Sequence, residues 1–302
     1  MTRWYHHRFH NIQLHRFVFW VMPWLPHFIQ PPIAWVTALV FYLLLSRERR
    51  AVTRNLRRVS GLGGLALQWK VYRVFYSFCD LMVSYCYVPQ ASHQQLLAML
   101  VDPERGAAVI DQCLAAGNGL IVWTAHLGNA EIASRLLELH NRTVNVARVV
   151  ENSPAEKLLR DRMASTRLRI VDLSNGAQAT IELMHALRRN EIVAIQGDRV
   201  YHPRHSAVLP FFGEPASFPL GAFLLSQVSG APVLPGFVIR RGWLRYRVLL
   251  GDPIFPSPST HDRDGNARAG LSQAVRFLHD QAAIHYDQWV NFFDFWPVNP
   301  HD

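Results

Sequence analysis

Residues 119–131 read Gly-Leu-Ile-Val-Trp-Thr-Ala-His-Leu-Gly-Asn-Ala-Glu, and this stretch decides the fold. Residues 120–123 form a short continuous apolar run, which is how a strand buried on both faces reads. Asn129 is a good helix N-cap, and residues 130–140 then place Ile132, Leu136 and Leu139 at helical spacing. Gly128 supplies the tight turn between the two pieces. A buried strand followed at once by an amphipathic helix is the repeating unit of an α/β sheet.

The alternation continues outward from there. Strands are expected at 144–149, 170–173, 192–195, 233–239 and 246–250. Helices are expected at 154–165, with a proline near the first turn, and at 177–189, 220–228 and 267–286. The expected fold class is therefore α/β: a mixed, mainly parallel sheet flanked by helices. Residues 253–270, rich in Pro, Ser, Asp and Gly, read as a surface loop; Asp262-Arg263-Asp264-Gly265 within it resembles a calcium loop only faintly and is taken as loop. Residues 62–88 are apolar on nearly every helical face, as in a core helix or a partly lipid-facing one.

Ahead of these lies a stretch with no Lys, Arg, Asp or Glu between Arg16 and Arg47. Pro23, Pro26, Pro31 and Pro32 cut it into two apolar pieces, 17–28 and 33–45, each shorter than the roughly 20 residues a spanning helix needs. No small-x-small cleavage site follows, so a cleavable signal is not expected. Arg47, Arg49, Arg50, Arg54, Arg57 and Arg58 come directly after, a cluster suited to anionic headgroups on the cytoplasmic side. The expectation is an N-terminal apolar membrane-anchoring helical segment, bent at its prolines, that dips into one leaflet or makes one imperfect span. Residues 1–58 would be the anchor and its basic flank, and residues 59–302 the main domain.

In open α/β sheets ligands bind beyond the carboxyl ends of the strands, and two such ends carry chemistry. At the first, His126 follows the buried strand and Glu131 falls in the first turn of the next helix, from where it can reach back to the imidazole. A carboxylate on one ring nitrogen fixes the tautomer and leaves the other free to accept a proton. The same spacing also fits a capping histidine and a glutamate matched to the helix dipole. The second end is Gln196-Gly197-Asp198-Arg199, followed by Pro210-Phe211-Phe212-Gly213 and Phe218-Pro219-Leu220-Gly221, which look like walls for an alkyl chain beside a charged pivot.

Other chemistries find little support. There is no Gly-x-Ser-x-Gly elbow, no phosphate-cradling loop ending in Lys-Ser/Thr and no His-Glu-x-x-His. Cys79, Cys86 and Cys113 lack metal spacing and read as buried reduced thiols. His202 and His205, with His6, His7, His10 and His15, read as solvated basic residues and not as metal ligands. The net charge of +9 fits anionic lipid or an acidic partner; nucleic acid is not expected, because the basic cluster abuts apolar sequence instead of a stacking surface.

With His126-Leu-Gly-Asn-Ala-Glu131 in place, the chain resembles the lysophospholipid acyltransferase superfamily, whose first motif is His, four residues, then Asp or Glu. It is most similar to the branch of the bacterial lipid A late acyltransferases. Agreement continues in order through Asn55-Leu56, Arg148, Gly197-Asp198-Arg199, Pro210-Phe211-Phe212-Gly213, Phe218-Pro219-Leu220-Gly221 and Gly230-Ala-Pro232-Val-Leu-Pro235. The ending, Trp289-Val-Asn291-Phe292-Phe293-Asp294-Phe295-Trp296, looks like the tail of acyltransferases predicted in aryl-polyene-type pathways.

The resemblance implies direct transfer of an acyl group to a lipid or glycolipid hydroxyl at the cytoplasmic face of a bacterial inner membrane. The donor would be an acyl carrier protein or coenzyme A thioester, with no cofactor or metal. It implies His126 as general base, Glu131 as its orienting partner, and Arg148, Asp198, Arg199, Asn129, Phe212 and Gly213 as substrate-contacting positions. Arg148 and Arg199 would bind an anionic acceptor or the oxyanion, and Asp198 would orient Arg199. Where lipid A enzymes usually carry Asp-Gln-Asp, this chain has Gly197-Asp198-Arg199, which points away from lipid A itself as acceptor. Two rivals share the residues: a lipid or thioester hydrolase using the same pair on water, and a non-catalytic lipid-binding protein.

Overall fold

A computed structural model describes residues 12–102, 106–150, 153–201, 205–257 and 261–296. At its centre is a six-stranded sheet. The strands are β1 (Leu120–Thr124), β2 (Val144–Arg148), β3 (Leu168–Asp172), β4 (Ile192–Gln196), β7 (Val233–Gly242) and β8 (Arg245–Leu250), in the spatial order β3-β2-β4-β1-β7-β8. Every pairing is parallel except β7 with β8, which is antiparallel. The expected α/β class and the six expected strands are thus all present. β1 lies inside the sheet and is buried along its whole length, as its unbroken apolar run requires.

Helices cover both faces. Trp123, Val193, Val233 and Phe237 pack under α9 (Ala177–Arg188), α10 (Gly221–Ser229) and α11 (Arg263–His285). Leu120, Val122, Val144 and Leu234 face α6 (Ala107–Leu114) and α7 (Ala130–Leu137). α11 starts within the segment expected to be a loop. The Asp262 carboxylate accepts a hydrogen bond from the Gly265 amide at 2.8 Å and caps the helix, so the acidic residues there serve a helix start.

A two-stranded hairpin, β5 (Ser206–Phe211) with β6 (Glu214–Pro219), was not among the expected strands. Its turn is Phe212-Gly213, both with positive φ (51° and 79°), the conformation that matches the twist of hairpin strands. Pro210, Pro215 and Pro219 argue against a central strand, but a two-stranded ribbon has only edges, where a missing N–H is tolerated.

The N-terminal layer comprises α1 (Ile12–Val21), α2 (Gln30–Leu44), α3 (Ser46–Ser60) and α4 (Gly64–Tyr87). Here the expectation of an N-terminal membrane-anchoring helical segment is corrected in its spanning form. No helix among the described residues is long and apolar enough to cross a membrane. α2 has 15 residues and is about 22 Å long at 1.5 Å per residue, against a hydrocarbon core of about 30 Å. Instead α2 packs along α4, with Ala34 and Ala38 buried against Val71, Tyr72 and Phe75. α4 is a core helix, and Cys79, Cys86 and Cys113 are free and buried. The outer side of this layer stays exposed: Phe17, Trp20, Trp24, Phe28, Val36, Leu43 and Leu44 are each 58% accessible or more.

Candidate functional site

The parallel register of β1 and β4 builds the centre of the site. Thr124 pairs with Gln196, and the Gly197 amide donates to the Thr124 carbonyl at 2.8 Å, so the two chains leave the sheet side by side. His126 and Asp198, each two residues beyond its strand, therefore meet. His126 Nδ1 lies 2.7 Å from Asp198 Oδ1, and the His126 backbone N–H donates to Asp198 Oδ2 at 3.1 Å. The Trp289 indole Nε1–H donates to the same Oδ2 at 3.3 Å. The carboxylate is fully buried, whereas the imidazole keeps 20% of its side-chain surface accessible.

Two glycines make this approach possible. A Cβ on Gly197 would sit 1.8 Å from Trp123 Nε1. On Gly128, at φ +79°, it would lie 2.1 Å from the Val238 carbonyl oxygen. The turn is pinned by Gly128 N–H to the Gln288 carbonyl (2.9 Å), Asn129 N–H to the Val238 carbonyl (2.7 Å) and Val290 N–H to the His126 carbonyl (2.8 Å).

Electrostatics follow from this burial. Burial alone would raise the Asp198 carboxyl. The facing His126 ring, its hydrogen bond and the Arg199 guanidinium overcome that and hold it well below the usual carboxylate range. His126 is shifted down, by burial first and then by Arg199, against the opposing pull of Asp198. A neutral imidazole donating Nδ1–H to a carboxylate leaves the Nε2 lone pair available as a base.

The expected partner of the imidazole is thereby corrected. Asp198, not Glu131, holds Nδ1. Glu131, in the first turn of α7, accepts from the Tyr85 hydroxyl and faces Arg148. Arg148, at the end of β2, is ion-paired with Glu156, and Glu131, Glu156, Tyr85 and Tyr201 together keep it charged against burial. Arg199 bonds to the Asn291 side chain (Nε, 3.1 Å) and the Val290 carbonyl (Nη2, 2.9 Å), and lies over Phe293; burial lowers it to about 10. Asp198 therefore orients His126 as well as facing Arg199.

The remaining expected positions divide. Asn129 is 2% exposed and works within the fold: its side-chain oxygen caps the Ile132 amide (3.2 Å) and its Nδ2 donates to Ser84 Oγ (3.0 Å). Phe212 and Gly213 form the hairpin turn, with Phe212 stacked on His279 at 4.2 Å. The ring that reaches the floor of the site is Phe211, 5.9 Å from Trp289. Tyr85, Glu156 and Trp289 were not foreseen as site residues; the first sits in an apolar helix and the last in the aromatic tail, where no local pattern marks polar work. Of the histidines weighed for metal, His6, His7, His10 and His202 lie outside the described residues, as does the His15 side chain. Among the described residues no group of three or more His, Cys, Asp or Glu could hold a metal ion.

Behind α7 a cavity of about 540 Å³ runs along β7 and β8, walled by Val122, Ala133, Leu136, Phe237, Val238 and Val248. Ligand pockets span about 300–1,000 Å³. Its wall residue Val238 is the one whose carbonyl anchors Asn129, three residues from His126.

Comparison with known proteins identifies the family. Residues 2–281 match the model of a family described as bacterial lipid A biosynthesis acyltransferase. Phosphatidylinositol mannoside acyltransferases from two strains of Mycobacterium tuberculosis, CDC 1551 / Oshkosh and H37Rv, are each 28% identical over 208 residues, which is 67% of this chain. The match spans 62% of those relatives' own length. With a family match over nearly its whole length, the chain belongs to the bacterial lipid A biosynthesis acyltransferase family.

Proposed function

We propose that the chain transfers a fatty acyl group from a carrier-protein or coenzyme A thioester to a hydroxyl of a lipid or glycolipid acceptor, with His126 as general base. The observation that carries this reading is the 2.7 Å bond between His126 Nδ1 and the buried Asp198 carboxylate, with 20% of the His126 side chain accessible. Nε2 takes the acceptor's hydroxyl proton as the oxygen attacks the thioester carbonyl. The tetrahedral oxyanion collapses, the C–S bond breaks, and the proton passes from Nε2 to the leaving thiolate. Asp198 stabilises the imidazolium that forms between these steps. Arg148 and Arg199 supply positive charge for the oxyanion or an anionic acceptor, and Glu131 and Glu156 hold Arg148 in place for that role. The cavity behind α7, apolar along Val122, Leu136, Phe237 and Val248 and polar at Asp111 and His140, is suited to the donor's chain.

Membrane association belongs to the same reading. The exposed apolar face of α1 and α2 suits shallow burial in one leaflet, with Arg47, Arg50 and Arg57 of α3 exposed beside it for anionic headgroups. The expected site is the cytoplasmic face of a bacterial inner membrane.

Mass spectrometry of total lipids from cells expressing wild type or His126→Ala, with folding verified in both, tests the reaction. One lipid class should gain an acyl-chain mass with wild type only. Free fatty acid rising with wild type, without any acylated product, would refute transfer in favour of hydrolysis.

A further inference from the structure

Residues 286–296 form a strap across the strand ends that carry His126 and Asp198, and it lies beyond residues 2–281 matched by the family model. Leu127 and Trp289 form an antiparallel bridge, flanked by the bonds from Gly128 N–H to Gln288 O and from Val290 N–H to His126 O. The strap thus pairs with the very turn that carries the base. Its far end is tied to α3, where Asn55 Nδ2 donates to the carbonyls of Asn291 (3.3 Å) and Phe293 (2.7 Å), and Arg54 makes a two-point ion pair with Asp294.

We propose that Trp289 is a positioning residue for the His126–Asp198 pair, its indole N–H fixing the carboxylate so that Oδ1 is presented to Nδ1. The inference rests on the reading of His126 as the base. Oδ2 receives two donors, the His126 amide and the Trp289 indole, while Oδ1 faces Nδ1. Two donors on one oxygen prevent the carboxylate from rotating to offer either oxygen to the ring. The indole cannot swing away, because Trp289 is 1% exposed and packs edge-on against Phe211, Phe295 and Trp296. The charged groups facing the pair are Arg199 and Arg148. Arg199 is itself held by the strap, through Asn291 and the Val290 carbonyl.

The same aromatic cluster contains a natural control. Trp296 is 5% exposed and stacks on Phe211, but its buried indole nitrogen has no hydrogen-bond partner among the described residues. Trp289→Phe and Trp296→Phe remove equivalent atoms from one cluster, and only the first removes a donor to Asp198.

The experiment is a ¹⁵N-histidine NMR titration of the full chain as wild type, Trp289→Phe and Trp296→Phe, with His126→Gln to assign the signal. Wild type should carry its proton on Nδ1. In Trp289→Phe the carboxylate, with one donor fewer on Oδ2, becomes more basic, so the His126 pKa rises. With an active donor, kcat falls about tenfold or more at little-changed KM, the scale set by slight misplacement of a catalytic group, and the acid limb of the pH profile moves up. Trp296→Phe should match wild type in every readout. Equal effects in both variants, or no change in Trp289→Phe, would overturn the proposal. Wild type alone gives a second reading: the Trp289 indole N–H resonance should move as His126 titrates, and a static resonance overturns the proposal even where Trp289→Phe does not fold. Failure of the underlying reading looks different, because transfer would then persist in His126→Gln whatever the Trp289 result.

Discussion

Asp198→Asn discriminates most sharply between the two carboxylates near His126. The exchange is isosteric, so the outcome turns on which way the amide lies. Two donors converge on the Oδ2 position, the His126 amide at 3.1 Å and the Trp289 indole at 3.3 Å, and both require an oxygen there. The new NH₂ must then occupy the Oδ1 position, 2.7 Å from His126 Nδ1. A donor facing Nδ1 forces that nitrogen to accept, and the ring proton moves to Nε2, where the base should be free. The loss of imidazolium stabilisation comes on top. Where a carboxamide replaces the carboxylate behind a catalytic histidine, the cost is about 10⁴-fold in kcat; about 10³- to 10⁴-fold is expected here, or about 4–5.5 kcal/mol in barrier. Glu131→Gln should instead weaken the hold on Arg148 and leave the tautomer of His126 unchanged. The assay is steady-state acyl transfer with the two variants side by side, with ¹⁵N-histidine spectra for the tautomer. The reasoning is refuted if Asp198→Asn stays within tenfold of wild type, or if Glu131→Gln inverts the tautomer.

Other consequences are open to direct measurement. Because burial and Arg199 lower the His126 pKa, and the base must be neutral, the acid limb of kcat/KM should fall below pH 6.5; Arg199→Met should move it up, and a limb unmoved in that variant counts against the role of Arg199. Burial raises the Asp80 carboxyl to about 7 despite Arg240 and the Tyr246 hydroxyl. The folded chain then keeps a proton that the unfolded chain has released, so this group's contribution is full below about pH 4 and declines, by up to about 1.4 kcal/mol per pH unit, as pH rises to about 7. Urea unfolding at pH 5 and 7 should show that slope in wild type and its loss in Asp80→Asn. Gly128→Ala should cost about 2–4 kcal/mol, since it combines φ +79° with a 2.1 Å clash, and a melting curve unchanged from wild type would contradict the turn geometry. Replacing Trp20, Trp24 and Phe28 together by Ser should cut co-sedimentation with anionic vesicles at least tenfold, given about 1.5–3 kcal/mol per fully buried large apolar side chain. Their exposure of 69–81% means that thermal stability should hardly change.

Strand and helix content was legible because burial writes it directly into the chain. β1 is apolar at every position but its last because both its faces are covered, and α7 alternates because one side meets the sheet. The hairpin β5–β6 was hidden by its three prolines, which exclude a central strand but not a ribbon made only of edges. The start of α11 was hidden by composition: Asp262 looks like loop until its carboxylate is seen on the Gly265 amide. The N-terminal apolar stretch was read correctly as apolar, but linear hydropathy cannot say whether an apolar helix faces lipid or another helix. Here α2 does neither alone, with Ala34 and Ala38 against α4 and Val36, Leu43 and Leu44 turned outward.

The His126–Asp198 pair shows why spacing in the sequence can suggest the wrong partner for a histidine. Glu131 stands five positions after His126, and Asp198 seventy-two. Proximity in sequence made Glu131 the natural candidate, yet a residue in the first turn of α7 leaves on the helix side, toward Tyr85 and Arg148. What decides the pairing is the register of β1 against β4: Thr124 opposite Gln196 places position 126 opposite position 198, and parallel strands lengthen that correspondence one residue at a time. A shift of one residue would move the carboxylate along by about 3.3 Å and turn it to the other face. The local cues for that register are Gly197, which lets the chain pass Trp123, and Gly128, which lets the turn meet Val238. Neither glycine touches substrate in the proposed reaction, but both set where the base and its carboxylate stand. The sequence therefore shows two strand ends, one carrying an imidazole and the other a carboxylate, and only the sheet between them says that they meet.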